Sequence, residues 1–210
     1  MRKIDPIKHD EKRREILEAA ARCFQRKGFK GSSVSEICAE AGISPGHLYH
    51  YFVGKEAIIV AMAQSHLDAL AERFQKTLAR GERILDAIVA EMNWLTPGEG
   101  VTNATLLFEV LAESTRSEAI ARDLQSHSRR MCELVAKLLQ QGQARGEIDP
   151  ALDPETAAAV LISLMDGARA LALRDREIDP HRTAAVYDLL IRRSVGWPRP
   201  APIPAPLGEP

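Results

Sequence analysis

The chain has 210 residues, of which 45% are hydrophobic and 27% charged, a balance typical of a globular protein with a buried core. The formal net charge of −1 excludes a uniformly basic nucleic-acid-binding protein. Three widely spaced cysteines, Cys23, Cys38 and Cys132, argue against a disulfide framework and against a CxxC-type metal site. We therefore expect no metal and no cofactor.

Positive charge is concentrated at the N-terminus. Residues 1–30 contain ten lysines and arginines against five acids, whereas residues 61–210 contain 17 against 21. This distribution favours approach to phosphate, although a solvated charged helix face would give the same counts. We predict a flexible basic arm over residues 1–9, with Pro6 interrupting any early helix, and then a helix from Asp10 to about Lys27 that stops at Gly28.

The chain carries no sign of export or of membrane insertion. No apolar run is long enough to span a bilayer. The N-terminal stretch MRKIDPIKHDEKRRE is basic but lacks the apolar segment of a secretion signal. The expected location is the cytoplasm.

The stretch from Ser32 to Lys55 contains two helix starts and a tight turn. Ser33 with Glu36 forms a capping-box pattern, in which each residue bonds a backbone N–H that the helix leaves unpaired. Gly42 predicts the end of the first helix. Ser44 predicts the next N-cap, and Pro45 stands at the helical position where proline is tolerated.

The second of these helices, predicted from Pro45 to about Phe52, is a candidate for DNA recognition. Leu48 and Phe52 are four residues apart and share an inward side. The other side presents polar and aromatic residues near the helix start, as a major-groove recognition helix does. These are Gly46, His47, Tyr49 and His50.

The sequence AGISPGHLYHYFVGKEAI resembles the DNA-binding signature of the TetR/AcrR family of bacterial transcriptional regulators. The resemblance extends back through RREILEAAARCFQRKGFKGSSVSEI and so covers roughly residues 10 to 60. It implies an all-α, TetR-like fold of about nine helices. A three-helix helix-turn-helix domain (residues 10–54) would precede a helical effector-binding and dimerisation body (residues 55–195) and a proline-rich disordered tail (residues 196–210).

The resemblance also assigns the contacts with double-stranded DNA. It implies base-groove contacts from the outward side of the recognition helix and phosphate contacts at its flanks. The predicted DNA-binding residues are Ser33, Ser44, Pro45, Gly46, His47, Tyr49, His50 and Lys55. Tyr49 offers a hydroxyl to a phosphate or a ring to a thymine methyl, and Gly46 allows close backbone approach. Tyr51 is as much a packing candidate as a DNA contact.

The body is predicted to be helical throughout, since its apolar residues recur at helical spacing between legible turns. One long helix should run over 55–80. The others are predicted at 82–95, 103–116, 118–145, 154–174 and 180–195, with a loop over 96–100. The proline content of the tail favours an extended segment.

The last two helices are the predicted homodimer interface, because they are apolar on more than one side and so need a second partner. The interface residues are Ala157, Leu161, Leu164, Ala168, Val186 and Leu190. A fully buried monomer core would give the same pattern.

The body is also expected to hold a small-molecule effector of unknown identity, since helical bundles bind ligands between helices. The candidate pocket residues are Met62, His66, Asn93, Trp94, Phe108, His127, Met131 and Met165, with Glu109 and Asp166 as further polar contacts. Taken singly, each residue is better explained by core packing or by surface exposure.

The expected function is that of a ligand-responsive regulator, most simply a repressor that binds a palindromic operator as a homodimer and is released by its effector. The alternative on the same scaffold is a redox-responsive regulator that uses Cys23 and Cys38, although buried structural cysteines explain these positions better. The sequence contains no phosphate loop, HExxH or GxSxG motif, and we expect no catalytic residue. A helical adaptor that binds only protein would not need the basic N-terminus.

Overall fold

The computed structural model describes the backbone of residues 6–91, 99–175 and 177–196, and within these it describes no side chain for residues 6, 7, 99–103 and 172. Over those ranges the chain forms nine helices. They are α1 (Pro6–Gly31), α2 (Val34–Ala41), α3 (Pro45–Tyr49), α4 (Lys55–Ala79), α5 (Ile84–Ala90), α6 (Glu99–Ser114), α7 (Glu118–Ala144), α8 (Pro154–Arg174) and α9 (Pro180–Val195). The predicted all-α class is confirmed. None of the described helices is long and apolar enough to cross a membrane.

Helix α1 begins earlier than the sequence pattern predicts. The predicted arm covers residues 1–9, but residues 6–9 are helical, and residues 1–5 lie outside the described part. Pro6 does not interrupt the helix because it stands at the helix start, where a missing N–H leaves no hydrogen bond unmade. At the other end the helical backbone breaks at Gly28, with φ 73° and ψ 172°, which is the predicted stop.

The caps of α2 and α3 form as predicted. The Ser33 side chain accepts from the Glu36 N–H while the Glu36 carboxylate accepts from the Ser33 N–H, so the capping box is complete. Gly42 ends α2 in the left-handed conformation at φ 63°. Ser44 caps α3 by accepting from the His47 N–H. Helix α3 ends at Tyr49, three residues before the predicted end, and a turn follows.

The chain divides into two compact units, and two of the three division points fall inside α4 and α7. The first unit comprises Met1–Arg73 and Pro97–Met131, and the second comprises Phe74–Thr96 and Cys132–Pro210. The first unit thus contains α6 and the first half of α7 in addition to the helix-turn-helix domain. It surrounds a continuous apolar core whose most deeply buried members include Ile16, Ile37, Leu48 and Ile58, all with 0% exposure.

The second unit has its own core, built on α5, the second half of α7, α8 and α9. Its fully buried side chains include Ile84, Leu139, Ile148 and Ile191. Helix α5 has no side-chain cap on its N-cap residue, Arg83. Instead the Ile84 N–H donates to the Glu147 carboxylate at 2.7 Å, which satisfies a helix-start donor from a distant part of the chain.

The body helices mostly match their predicted bounds. Helix α8 begins and ends at the predicted residues, as does α9, while α4 and α7 each stop one residue short. Helix α5 is shorter than the predicted 82–95, and residues 92–98 lie outside the described part. Helix α6 begins at Glu99, within the predicted loop over 96–100. The predicted tail lies outside the described residues, apart from residue 196.

Candidate nucleic-acid interface

Helix α3 buries one of its residues and exposes the others. Leu48 is its only buried residue, at 0% exposure, whereas the Tyr49 side chain is 54% exposed. The remaining predicted contacts on and beside this helix are also exposed, namely Ser44, Pro45, Gly46, His47 and His50. One end of a short helix is therefore anchored in the core while its polar side faces outward.

Gly46 has no packing role within the chain. A Cβ placed there would meet no atom within 4 Å, and the residue does not adopt a positive φ. A steric reason for glycine at this position would have to come from a bound molecule, which agrees with the expectation of close backbone approach to DNA.

Ser33 serves first as a structural cap. Its hydroxyl donates to the Glu36 carboxylate at 3.0 Å and accepts from the Glu36 N–H at 3.2 Å. The Lys27 ammonium also bonds Glu36. These partners, the Lys27 side chain foremost and then the Ser33 N–H and hydroxyl, lower the pKa of the Glu36 carboxyl to about 2.

We expect Glu36 to titrate at about pH 2 in the folded protein. Because its folded pKa lies below the ordinary value of 4.5, the stabilisation from the charged carboxylate is complete above that value and is lost as the pH falls through about 2. An NMR titration of the side-chain carbon measures this midpoint. In Lys27→Met, which removes the largest cause, the midpoint should move up toward 4.5. A midpoint near 4.5 in the unmodified protein would contradict the capping geometry.

Lys55 bonds within the chain. Its ammonium donates to the backbone carbonyls of Phe29 at 2.9 Å and Ser32 at 3.3 Å, and it lies 4.6 Å from the centroid of the Phe29 ring. The side chain is half-buried. The predicted phosphate contact thus also ties the start of α4 to the turn between α1 and α2, so its replacement would disturb the fold as well as any DNA contact.

Helix α6 contacts the same turn through the N–H of Phe29, the residue whose carbonyl accepts from Lys55. The Glu109 carboxylate accepts the Phe29 N–H, and a Cβ at Gly28 would come within 2.4 Å of that carboxylate. Lys30 pairs with Glu113 at 2.9 Å, an interaction that lowers the pKa of the Glu113 carboxyl. Glu109 was a candidate effector contact in the sequence, but its described bond is to the helix-turn-helix domain.

Of the eight N-terminal lysines and arginines that the structure describes, between residues 8 and 30, five have acidic partners. Glu40 pairs with both Arg22, at 2.7 Å, and Arg26, at 2.6 Å. Lys12 pairs with Glu15, Lys27 with Glu36 and Lys30 with Glu113. The counts over residues 1–30 therefore overstate the positive charge available to phosphate, since three of these partners lie beyond residue 30.

One aromatic contact joins α1 to the end of the recognition segment, residues 45–52, and a second lies within that segment. The His9 ring stacks on Tyr51 with 4.7 Å between centroids, and the His47 ring lies 5.6 Å from Tyr51. Tyr51 is half-buried and packs against the apolar core. Sequence reasoning missed His9, because a residue in a predicted arm has no defined neighbours.

The cysteines of the helix-turn-helix domain have the features of structural residues. Cys23 and Cys38 are free and buried, and burial raises the pKa of both thiols. A raised pKa reduces the thiolate fraction that oxidation requires. Cys132 is half-buried.

The candidate effector residues fall in different environments. Met62 packs against the core of the first unit, and His66 is exposed. Phe108, His127, Met131 and Met165 are half-buried, and Asn93 and Trp94 lie outside the described residues. The Nδ1 atom of His127 is buried without a hydrogen-bond partner, and burial followed by the charge of Arg130 lowers the pKa of this imidazole.

A groove of about 500 Å³ lies between α5 and α9 in the second unit. Arg192 crosses it, donating to Asp86 and to Asp188 at 2.5 Å each. None of the candidate effector residues that the structure describes lines this groove.

The predicted interface residues divide by exposure. Val186 and Leu190 are 56% and 48% exposed, Ala157 and Leu164 are half-buried, and Leu161 and Ala168 are buried within the chain itself. Two further large apolar residues on these helices are exposed, Val160 and Leu189. Among residues whose side chains are described, no group of three His, Cys, Asp or Glu side chains is arranged to hold a metal ion.

Two family models match the chain. The one described as "Bacterial regulatory proteins, tetR family" matches residues 16–62, which contain α2 and α3. The one described as "BetI-type transcriptional repressor, C-terminal" matches residues 85–195, more than half of the chain. The chain belongs to the TetR family of bacterial regulatory proteins.

Relatives of known structure or curated name agree with this assignment. The transcriptional regulator UidR of Escherichia coli K12 is 32% identical over 88% of this chain and 91% of its own length. The repressor NemR of the same strain is 29% identical, covering 85% and 92%. Among solved structures, Salmonella enterica GusR superposes with a TM-score of 0.70 at 28% identity, covering 87% of this chain and 94% of its own.

TetR-family membership confirms the predicted architecture of an N-terminal helix-turn-helix domain followed by a helical C-terminal domain. The protein is a DNA-binding transcriptional regulator, and its C-terminal domain matches that of BetI-type transcriptional repressors. The outward side of α3 is therefore the place to look for operator contacts.

Proposed function

We propose that this regulator represses transcription as a homodimer bound to a palindromic operator, and that a small-molecule effector bound in the body releases it. The main support is the orientation of α3, which buries Leu48 and leaves His47, Tyr49 and His50 exposed. In a helix-turn-helix dimer such helices enter successive major grooves about 34–36 Å apart.

The DNA contacts divide by chemistry. Pro45, Gly46, His47 and Tyr49 start the recognition helix, where side chains reach base edges. Ser33 and Ser44 lie at the N-termini of α2 and α3, where unpaired backbone N–H groups bind phosphate oxygens. Lys55 adds a positive charge on the far flank, and His50 follows α3 directly.

The dimer interface is proposed on the exposed apolar side chains of α8 and α9. Val160, Val186, Leu189 and Leu190 are between 46% and 61% exposed, and the three on α9 stand at i, i+3 and i+4, so they share one exposed apolar side of that helix. A second copy of the chain would bury them and would also provide the second recognition helix.

The effector site is proposed in the body, with His127 as a polar contact. Its buried Nδ1 has no hydrogen-bond partner, and an unpaired buried polar atom is costly unless a ligand satisfies it. The lowered pKa of this imidazole favours the neutral form, which can donate from one nitrogen and accept at the other. Ligand binding would shift the population toward a state in which the two recognition helices are wrongly spaced for the operator.

A redox response is the second candidate. It gains support from the similarity to E. coli NemR, whose solved structure is described as a reduced form and superposes with a TM-score of 0.71 at 26% identity, covering 91% of this chain and 99% of its own. The raised pKa values of Cys23 and Cys38 oppose it, so the ligand-responsive mechanism is our proposal.

Binding of the purified protein to its own upstream DNA at two salt concentrations, with mass analysis of the complex, tests the proposal. We expect one dimer or a pair of dimers on a palindromic segment, with affinity that falls as salt rises because phosphate contacts release counterions. Tyr49→Ala should weaken binding by roughly tenfold or more, the value of one good groove contact, and leave the dimer intact.

The matched variant Tyr49→Phe separates the two roles of this side chain. If the hydroxyl binds a phosphate, Tyr49→Phe should lose as much affinity as Tyr49→Ala. If the ring contacts a thymine methyl, Tyr49→Phe should bind like the unmodified protein. Unchanged binding by Tyr49→Ala would remove α3 from the interface, and a monomer on a non-palindromic site would refute the homodimer.

A further inference from the structure

His9 on the first helix is the feature that the proposed DNA contacts do not include. It is the fourth residue of α1, far in sequence from the recognition helix, and its ring stacks on Tyr51 at an interplanar angle of 29°. Tyr51 in turn contacts the ring of His47. Three aromatic rings thus connect the start of α1 to an exposed residue of α3.

A second contact follows one helical turn later on the same side of α1. Arg13 is four residues after His9, and its guanidinium lies 5.4 Å from the centroid of the Phe52 ring. Tyr51 ends the turn that follows the recognition helix, and Phe52 is the next residue. The first two turns of α1 therefore hold the end of the recognition segment at two adjacent residues.

This support matters because α3 has only five residues. A helix of that length is not stable by itself in water, so its position depends on tertiary contacts. Leu48 anchors the helix to the core, and Ile43 before it and Phe52 after it pack on the same core, but none of these contacts reaches the polar side that carries His47. The Tyr51 ring, which packs against the core and stacks on His9, supplies a described ring contact to His47 on that side.

We propose that His9 is a positioning residue for base recognition: through Tyr51 it holds the His47 side chain in the orientation that reads the operator. This inference rests on the proposed role of α3 in operator binding. His9 need not touch DNA itself, and its loss should change which bases are preferred rather than only how tightly DNA is held.

Selection from a random duplex library with the full-length protein tests this. Enrichment should be sequenced for the unmodified protein, His9→Ala, His9→Phe and His47→Ala. We expect His9→Ala to lose about three- to tenfold in affinity for the best site and to flatten the base preference at the positions that His47→Ala also flattens. His9→Phe keeps a ring for Tyr51 and should restore the preference.

Lys8→Ala is the matched control, since Lys8 is the exposed neighbour of His9 and carries a charge without a described ring contact. A phosphate-contacting lysine weakens binding to all sequences alike. If His9→Ala also weakens all sequences alike, or leaves the preference unchanged, the positioning role is wrong. If the unmodified protein enriches no sequence, the proposed operator binding fails instead. Thermal melting of each variant shows whether a loss of DNA binding is caused by unfolding. A loss explained by unfolding would also overturn the inference.

Discussion

Leu190→Glu is expected to convert the dimer to monomers and to lower operator affinity by at least about 100-fold. Leu190 is 48% exposed on α9, so a glutamate is tolerated by the isolated chain but would place an unpaired carboxylate inside the proposed interface. Operator affinity should fall because a monomer binds a single half-site. In the dimer the second recognition helix is held close to the second half-site, and this linkage raises affinity by a factor of about 10² to 10⁴.

Size-exclusion chromatography with light scattering measures the assembly, and titration of operator DNA measures the affinity. Leu111→Glu is the matched control, because it introduces the same charge at an exposed leucine of α6, with 36% exposure. That variant should remain a dimer. Leu161 and Ala168 are poor sites for this test, since they are buried within the chain and a charge there would unfold it. A dimeric Leu190→Glu protein would exclude this part of α9 from the interface.

Gly28→Ala is expected to destabilise the first unit by about 3 kcal/mol, the cost of a strained backbone together with a displaced carboxylate. Gly28 has φ 73° and ψ 172°, a region that is open almost only to glycine. Its added Cβ would meet the Glu109 carboxylate at 2.4 Å and disturb the bond from that carboxylate to the Phe29 N–H.

Urea unfolding followed by circular dichroism measures this change. Gly31→Ala is the matched control three residues away, because φ at Gly31 is not positive. The atom nearest to an added Cβ would be the Cβ of Lys27 at 3.4 Å, an ordinary contact. Gly31→Ala should be neutral or slightly stabilising, as alanine favours helix by up to about 1 kcal/mol over glycine. Equal stability of the two variants would contradict the strained conformation and the close approach of Glu109.

The turn that contains Gly28 joins three parts of the first unit. Phe29 donates its N–H to Glu109 of α6, and its carbonyl accepts from Lys55 of α4. The backbone at this residue is therefore hydrogen-bonded to both helices. The ion pair between Lys30 and Glu113 lies beside it. A displacement of α6 would therefore act on the helix-turn-helix domain through this segment, which is the physical requirement of the proposed release by an effector.

Local patterns predicted the helix-turn-helix well. The capping box of Ser33 and Glu36, the left-handed Gly42 and the cap at Ser44 all form where the sequence indicates them. The start of α1 was missed because a proline at the first helical position looks the same, in sequence, as a proline in an arm.

The candidate site was predictable to a similar degree. The outward side of α3 followed from the spacing of Leu48 and from the family resemblance. Local sequence patterns did not predict the bonds of Lys55 and Glu109 to Phe29, the ring contact of His9 or the ion pairs of the basic residues. Most of these contacts join parts of the chain that are distant in sequence. The effector residues stay predictions, with His127 the one whose surroundings add support.

The sequence by itself determined where most helices begin and end and which side of α3 is buried, because caps, stops and apolar spacing act over four residues or fewer. Only the tertiary structure decided which side chains of those helices bond to which distant backbone groups. The contact of Lys55 with Phe29 spans 26 residues and that of Glu109 with Phe29 spans 80. Such pairs depend on how helices pack, and no local pattern encodes which charged side chain will meet which unpaired backbone group.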